Sequence, residues 1–141
     1  MKRTELPNGH LLSMAGEDYL ESIYRLSTSD EAVSGLAEVR SVDIAEQLDV
    51  SKASVSKALS ALREAGMIEQ RRYGRIMLTE EGAAYARRVW RTHRVLRAFL
   101  QGELGVDEDT ADEEACLIEH YLSEDTMDRW CDYLENQGIA I

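Results

Sequence analysis

The chain has 141 residues, 44% of them hydrophobic and 30% charged, which is typical of a globular protein; with one proline and no low-complexity tract, little of it is expected to be disordered. Two cysteines are too few for a disulfide framework, and no apolar run reaches the ~20 residues of a membrane span. Because the start of the chain also lacks the apolar segment of a signal peptide, we expect a cytoplasmic protein with no membrane partner.

The net charge of −11 at pH 7 combines two regions of opposite sign. Residues 52–97 hold 11 Lys and Arg against 4 Asp and Glu, a local charge of +7, whereas residues 101–141 hold 1 Arg against 13 Asp and Glu, a local charge of −12. The basic region is suited to contact the phosphates of nucleic acid. The acidic region has to be solvated or neutralised by cations.

The first half of the chain is predicted to be helical. Residues 1–13 are expected to form a flexible tail, and apolar residues at helical spacing predict a first helix over about 15–27. The polar residues 28–40 are typical of a connector. A second helix is predicted to begin with Ser41 as its cap, and a third follows Ser51, whose side chain is suited to bind the free N–H groups of its first turn.

After the third helix the spacing of apolar residues changes from helical to alternating. The change follows Gly66, which is placed where a glycine commonly ends a helix. Two short runs, 67–70 and 75–78, flank the sequence Arg-Arg-Tyr-Gly, and this predicts a β-hairpin with glycine in its turn. The order of helices, turn and hairpin predicts a winged helix-turn-helix over residues 14–79, whose third helix enters the major groove of DNA.

The candidate DNA-binding residues follow from this arrangement. The N-terminal side chains of a recognition helix face base edges, and small residues there allow close approach. The tip of the hairpin places cations beside an aromatic ring, which suits the sugar-phosphate backbone or the minor groove. The alternative is a plain helical hairpin with a solvated basic surface. The predicted DNA-binding residues are Ser51, Lys52, Ala53, Ser54, Ser56, Lys57, Arg71, Arg72 and Arg75.

Residues 80–141 are predicted to form a helical domain, so the fold class is mainly α with a small β-hairpin wing. Thr79, Asp107 and Ser123 are each suited to cap the first turn of one helix. Gly102 and Gly105 are expected to end the first and longest of the three. The predicted ranges are about 80–100, 108–122 and 124–135.

Potential metal ligands recur on three of the predicted helices. Two carboxylates are one turn apart on the first helix, a histidine lies on the long helix, and a thiol, a carboxylate and an imidazole share one face of the fifth. Such mixed donors suit first-row transition metals. Each residue alone is also compatible with a solvated or packed side chain, and Cys116 with His120 with a nucleophilic dyad, although no oxyanion hole is indicated. The candidate ligands are Asp18, Glu21, His93, Cys116, Glu119 and His120.

Four segments resemble motifs of the diphtheria toxin repressor and manganese transport regulator family. They are similar to its first-helix signature, its helix-turn-helix, the exit of its wing and its metal-binding helix. The resemblance spans about residues 14–135. In order, the segments are EDYLESIY (17–24), VDIA with SKASVS (42–45 and 51–56), LTEEG (78–82) and CLIEHYLS (116–123).

The resemblance implies a homodimeric, metal-dependent repressor that binds double-stranded operator DNA of metal-homeostasis genes. It implies that the winged helix-turn-helix is followed by a metal-binding and dimerisation domain over residues 80–141. It also implies Mn²⁺ or Fe²⁺ as the co-repressor, with the six candidate ligands holding the ion. A metal-independent winged-helix regulator that responds to an organic ligand, and a metalloenzyme, are the alternatives.

The ligand set is a hybrid of the two branches of this family. The manganese branch usually has Glu where Cys116 stands, and the iron branch has Cys there. The iron branch in turn has Met where Asp18 stands, and a Glu and a His where Arg97 and Asp112 stand, so a second, iron-type site is not expected. Five of the six ligand positions match the manganese branch, which slightly favours Mn²⁺.

Overall fold

The computed structural model describes residues 12–28 and 37–139. Residues 1–11 of the predicted tail and residues 29–36 of the predicted connector lie outside the described residues. The chain divides into two compact units, one from Met14 to Arg87 and one that contains residues 12–13 and 88–139. Across the described ranges, every helix is too short or too polar to cross a lipid bilayer.

Helices and a small sheet form the described part of the first unit. The sheet is antiparallel in the order β1-β3-β2, with Ile68 opposite Leu78 and Val39 opposite Ile76. This arrangement confirms the predicted helix-turn-helix and hairpin. The elements in chain order are α1 (Met14–Thr28), β1 (Val39–Arg40), α2 (Ser41–Leu48), α3 (Lys52–Glu64), β2 (Ile68–Gln70) and β3 (Arg75–Leu78).

Local sequence accounts for the start and the end of α3. The side chain of Ser51 accepts a hydrogen bond from the backbone N–H of Ser54 at 3.1 Å, which satisfies one of the donors that a helix leaves free at its N-terminus. After the helix, Gly66 has a φ of 76°, a left-handed conformation that glycine adopts without a steric penalty. Both predictions are confirmed, and they fix the end of α3 from which β2 departs.

Two details at the start of α2 differ from the sequence predictions. Residues 39–40 of the predicted connector form β1, and Val39, which pairs with Ile76 of β3, is buried. The cap of α2 is Arg40, not Ser41; no side chain accepts a capping hydrogen bond from the helix. Instead, the Arg40 guanidinium binds the Asp43 carboxylate through two contacts of 3.0 Å, so a charge pair holds the first turn.

Glycine at position 82 allows the hairpin to lie against the helix that follows it. A Cβ atom on Gly82 would lie 1.9 Å from the backbone oxygen of Met67, a distance at which the backbones would have to separate. Thr79 reinforces the contact, because its hydroxyl donates to the Gly66 carbonyl at 2.7 Å and accepts from the Gly82 N–H at 3.0 Å. The wing is thereby attached at its base to the N-terminus of α4.

Three helices account for most of the second unit; the first of them begins within the first unit. The side chains of Asp107 and Ser123 accept hydrogen bonds from Thr110 and Thr126, which confirms both predicted caps. Apolar residues of the three helices form a shared core that includes Cys131, and burial raises the pKa of its thiol. The helices are α4 (Glu80–Gly102), α5 (Glu108–Glu119) and α6 (Glu124–Asn136).

Candidate metal centre and nucleic-acid interface

The last turn of α5 brings three potential metal ligands together. Cys116, Glu119 and His120 each offer a ligand atom, and these atoms lie within 4.8 Å of one another. Their spacing along α5 places them on one face. Glu119 and His120 are 3% and 4% exposed and Cys116 is half-buried. The cluster is therefore enclosed by protein on the side of Glu119 and His120.

A histidine of α4 contacts the same cluster. His93 is 5% exposed, and its Nδ1 lies 2.9 Å from Oε2 of Glu119. The imidazole stacks on the Trp90 ring with a centroid separation of 5.4 Å and an interplanar angle of 9°. Stacking and the Glu119 contact leave the His93 ring little freedom to rotate.

The other nitrogen of the His93 ring contacts a carboxylate that the sequence analysis did not consider as a partner. Its Nε2 lies 2.8 Å from Oδ1 of Asp112, and the Arg97 guanidinium donates to the same oxygen at 3.4 Å. The hydrogen bond with His93 is the largest effect on the pKa of Asp112 and lowers it; burial opposes this, and the charges of His93 and Arg97 together with the Arg97 hydrogen bond lower the pKa further, so that it lies below its ordinary value. Asp112 therefore stays ionised beside the imidazole.

The residues present fit a divalent transition metal. One thiol, one buried carboxylate and two buried imidazoles meet in the second unit. A buried carboxylate is costly unless cations or hydrogen bonds compensate it, and a divalent cation would do so here. Mixed sulfur, nitrogen and oxygen donors suit first-row metals such as Mn²⁺, Fe²⁺, Co²⁺ and Zn²⁺.

The predicted acidic ligands of α1 belong to the first unit. Glu21 is 8% exposed and Asp18 is half-buried. Their neighbour Glu17 has a structural role, because its Oε2 accepts a hydrogen bond from the Tyr85 hydroxyl at 2.7 Å. Ligation by Asp18 and Glu21 stays a prediction.

The predicted recognition helix presents the predicted residues on its exposed side. Val55, Leu59 and Leu62 are buried and hold α3 in the first unit. The hydroxyl of Ser51 also donates to Oγ of Ser54 at 3.0 Å, so these two side chains serve the helix cap. All six predicted residues of this segment are exposed: Ser51, Lys52, Ala53, Ser54, Ser56 and Lys57.

The three arginines of the wing differ in their surroundings. The guanidinium of Arg71 lies 3.1 Å from Oε2 of Glu69, and that of Arg75 lies 4.0 Å from Oε2 of Glu38. Arg72 is exposed at the tip beside Tyr73, which is itself 94% exposed with a φ of 62°. Of these three arginines, Arg72 is the one that forms no ion pair with a carboxylate of the described residues.

Two family models match the chain. Residues 11–76 match the N-terminal DNA binding domain of the iron dependent repressor, and residues 79–137 match its metal binding and dimerisation domain. The chain belongs to the iron-dependent repressor family. Members of the family are transcriptional repressors and not enzymes, which confirms the resemblance and the regulatory function predicted from the sequence.

Relatives in this family are named for both manganese and iron. The chain is 34% identical over 119 residues to the HTH-type transcriptional regulator MntR of Lysinibacillus sphaericus, covering 84% of this chain and 81% of MntR. It is 35% identical over 120 residues to the iron-dependent repressor IdeR of Mycobacterium bovis, covering 85% of this chain and 50% of IdeR.

A solved structure in the family has the same fold. The structure of the manganese regulator SloR superposes with a TM-score of 0.72 at 30% sequence identity, covering 85% of this chain and 53% of SloR. The chain thus spans about half the length of SloR. The shared region contains the winged helix-turn-helix and the helical domain, so the predicted fold class is confirmed.

Proposed function

We propose that this iron-dependent repressor family member controls metal-homeostasis genes in the cytoplasm, by binding their operator DNA as a homodimer when Mn²⁺ or Fe²⁺ is bound. The observation that carries the proposal is the cluster of half-buried Cys116 with buried Glu119 and His120, and His93 beside it. The family description of residues 79–137 as a metal binding and dimerisation domain supports it. A regulator that functions without metal does not account for the grouping of these potential ligands.

The proposed ligand set joins residues of both units. Asp18 and Glu21, one turn apart on α1, are proposed to complete the set that α4 and α5 begin. Their spacing gives both carboxylates one helical face, and the burial of Glu21 supports a role other than solvation. The full proposed set is Asp18, Glu21, His93, Cys116, Glu119 and His120. A bound metal would supply two positive charges, and it would hold the ligand side chains in one defined arrangement.

The first unit contains both the proposed ligands of α1 and the helices proposed to bind DNA. Within it, α1 packs against α2 and α3, and the Ser22 hydroxyl donates a hydrogen bond to the Gln47 side chain of α2. A constraint on Asp18 and Glu21 therefore also constrains the helix-turn-helix. Ligation favours the conformation that fits the operator, to the extent that the side chains bind the ion more tightly in that conformation.

The proposed DNA contacts of each residue follow from the charge and size of its side chain. Lys52, Lys57 and Arg72 are exposed cations suited to phosphates. Ala53 and Ser56 are small exposed residues on the same helix, suited to approach base edges, including a thymine methyl group. Neutralisation of the acidic region, residues 101–141, by bound cations reduces its repulsion of the DNA.

The choice between manganese and iron depends on Cys116. A thiolate is a softer ligand than the carboxylates of Asp18, Glu21 and Glu119, and it favours Fe²⁺ over Mn²⁺. The remaining five positions resemble the manganese branch, and we propose Mn²⁺ as the slightly preferred ion.

Direct metal binding tests the proposed function. We expect the purified protein to bind Mn²⁺, and Fe²⁺ under anaerobic conditions, in isothermal titration calorimetry. Glu119→Ala should bind both ions far more weakly while it retains the helical circular dichroism of the wild type. Equal metal affinity of Glu119→Ala and wild type would contradict the proposed site.

A further inference from the structure

Asp112, which is not in the proposed ligand set, contacts the proposed ligand His93 on the side of the ring that faces away from Glu119. The two ring nitrogens of His93 contact different carboxylates: Nδ1 faces Glu119 at 2.9 Å, and Nε2 faces Asp112 at 2.8 Å. Glu119 belongs to the proposed ligand set, whereas Asp112 does not. The ring is therefore oriented with one nitrogen towards the cluster and the other away from it.

We infer that Asp112 is a positioning residue for the metal ligand His93: it holds the proton on Nε2 and so presents Nδ1 to the metal. The inference rests on the proposed metal-dependent function. A neutral imidazole carries a proton on one nitrogen and a lone pair on the other, and the hydrogen bond at the first decides which nitrogen ligates. An ionised carboxylate only accepts hydrogen bonds, so Asp112 requires the proton on Nε2. Glu119 faces Nδ1 in the same way, but Glu119 is itself a proposed ligand, so an ion that binds both residues would take the place of a proton on Nδ1, whereas the proton between Nε2 and Asp112 would stay.

Arg97 and Trp90 support this assignment from two further directions. The Arg97 guanidinium donates to the same Asp112 oxygen at 3.4 Å, which keeps Asp112 negative and directed at the ring. Trp90 stacks on the imidazole and limits its rotation. His93 and Arg97 are four residues apart on α4, so one helical face supplies both the ligand and the cation that holds its partner.

The experiment compares three variants by Mn²⁺ titration calorimetry. Asp112→Ala should weaken Mn²⁺ binding by about 10- to 100-fold, the usual cost of losing such an outer partner of a ligating histidine. Asp112→Asn keeps an acceptor at the same place and should lose less affinity. Glu113→Ala is the matched control, since it removes an equal charge from the next, exposed position of α5 and should bind nearly as wild type.

A spectroscopic readout separates positioning from a general effect on the fold. Zn²⁺ serves as a diamagnetic probe, and long-range ¹H–¹⁵N spectra report which nitrogen of His93 carries the proton. We expect protonated Nε2 and ligating Nδ1 in the wild type, and loss of this single pattern in Asp112→Ala. Thermal melting shows whether the variants remain folded.

The outcomes distinguish this inference from the function on which it rests. A wild type that binds no Mn²⁺, or a His93→Ala variant that binds it like the wild type, contradicts the ligand set and this inference with it. Wild-type binding that weakens in His93→Ala, but equally little in Asp112→Ala and Glu113→Ala, overturns the positioning role alone. Ligation of Zn²⁺ through Nε2 in the wild type also overturns it.

Discussion

The Tyr85 hydroxyl donates a 2.7 Å hydrogen bond to Oε2 of Glu17, which is 1% exposed. The bond joins the first part of α4 to α1 inside the DNA-binding unit. It also satisfies a carboxylate that precedes the proposed ligands Asp18 and Glu21 in the chain. This hydrogen bond therefore stabilises the position of α1 whether or not metal is bound.

Removal of this hydroxyl should destabilise the first unit. Tyr85→Phe removes a buried hydrogen bond to the carboxyl group of Glu17, and we expect a loss of about 1–3 kcal/mol in the free energy of unfolding. Urea denaturation followed by circular dichroism measures it. Tyr133→Phe, at an exposed position of α6, is the control. Equal stability of the two variants would show that the Tyr85 hydrogen bond contributes nothing measurable.

Packing between the wing and α4 should not tolerate a methyl group. Gly82→Ala places Cβ 1.9 Å from the Met67 backbone oxygen, and we expect a loss of about 1–3 kcal/mol or more in stability, as for other overpacked sites. Gly102→Ala is the control, because no atom lies within 4 Å of its added Cβ. Thermal melting of both variants checks the prediction, and a Gly82→Ala protein as stable as Gly102→Ala would contradict the close approach.

Phosphate contacts should appear in the salt dependence of DNA binding. Lys57→Ala and Arg72→Ala should each lower the slope of log affinity against log salt concentration by about one. Arg129→Ala is the control, since this exposed arginine of α6 forms an ion pair with Asp125 at 2.9 Å and is not proposed to contact DNA. Fluorescence anisotropy at several salt concentrations gives the slopes. Unchanged slopes for Lys57→Ala and Arg72→Ala would remove both residues from the interface.

Metal preference should follow the softness of the donor at position 116. Cys116→Glu replaces the thiolate with hard oxygen and should shift activation of DNA binding towards Mn²⁺, whereas Asp18→Met should shift it towards Fe²⁺. The measurement is the concentration of each ion required for half-maximal operator binding, taken anaerobically. If both variants keep the wild-type order of the two ions, these side chains do not set the preference.

Features that depend on neighbours in the sequence were predicted correctly. Ser51, Asp107 and Ser123 cap their helices as expected, because a cap involves one side chain and the N–H groups of the next turn. The face shared by Cys116, Glu119 and His120 also follows from helical periodicity alone.

Features that depend on distant partners were not predicted. Strand β1 has only two residues, and it is defined by its pairing with β3, so it has no alternating pattern to find. The contact of His93 with Asp112 spans 19 residues and two helices. Its one sequence signal is weak: an acidic residue stands one turn before Cys116 on the ligand face of α5.

Operator binding with and without metal tests the central claim most directly. The dissociation constant of the wild-type protein for an operator fragment is measured by fluorescence anisotropy at fixed salt, in saturating Mn²⁺ and in excess chelator. We predict high affinity with Mn²⁺ and a loss of at least about tenfold in chelator, within the usual range of coupling between two binding sites. Equal affinity under the two conditions would contradict metal-dependent repression by this protein.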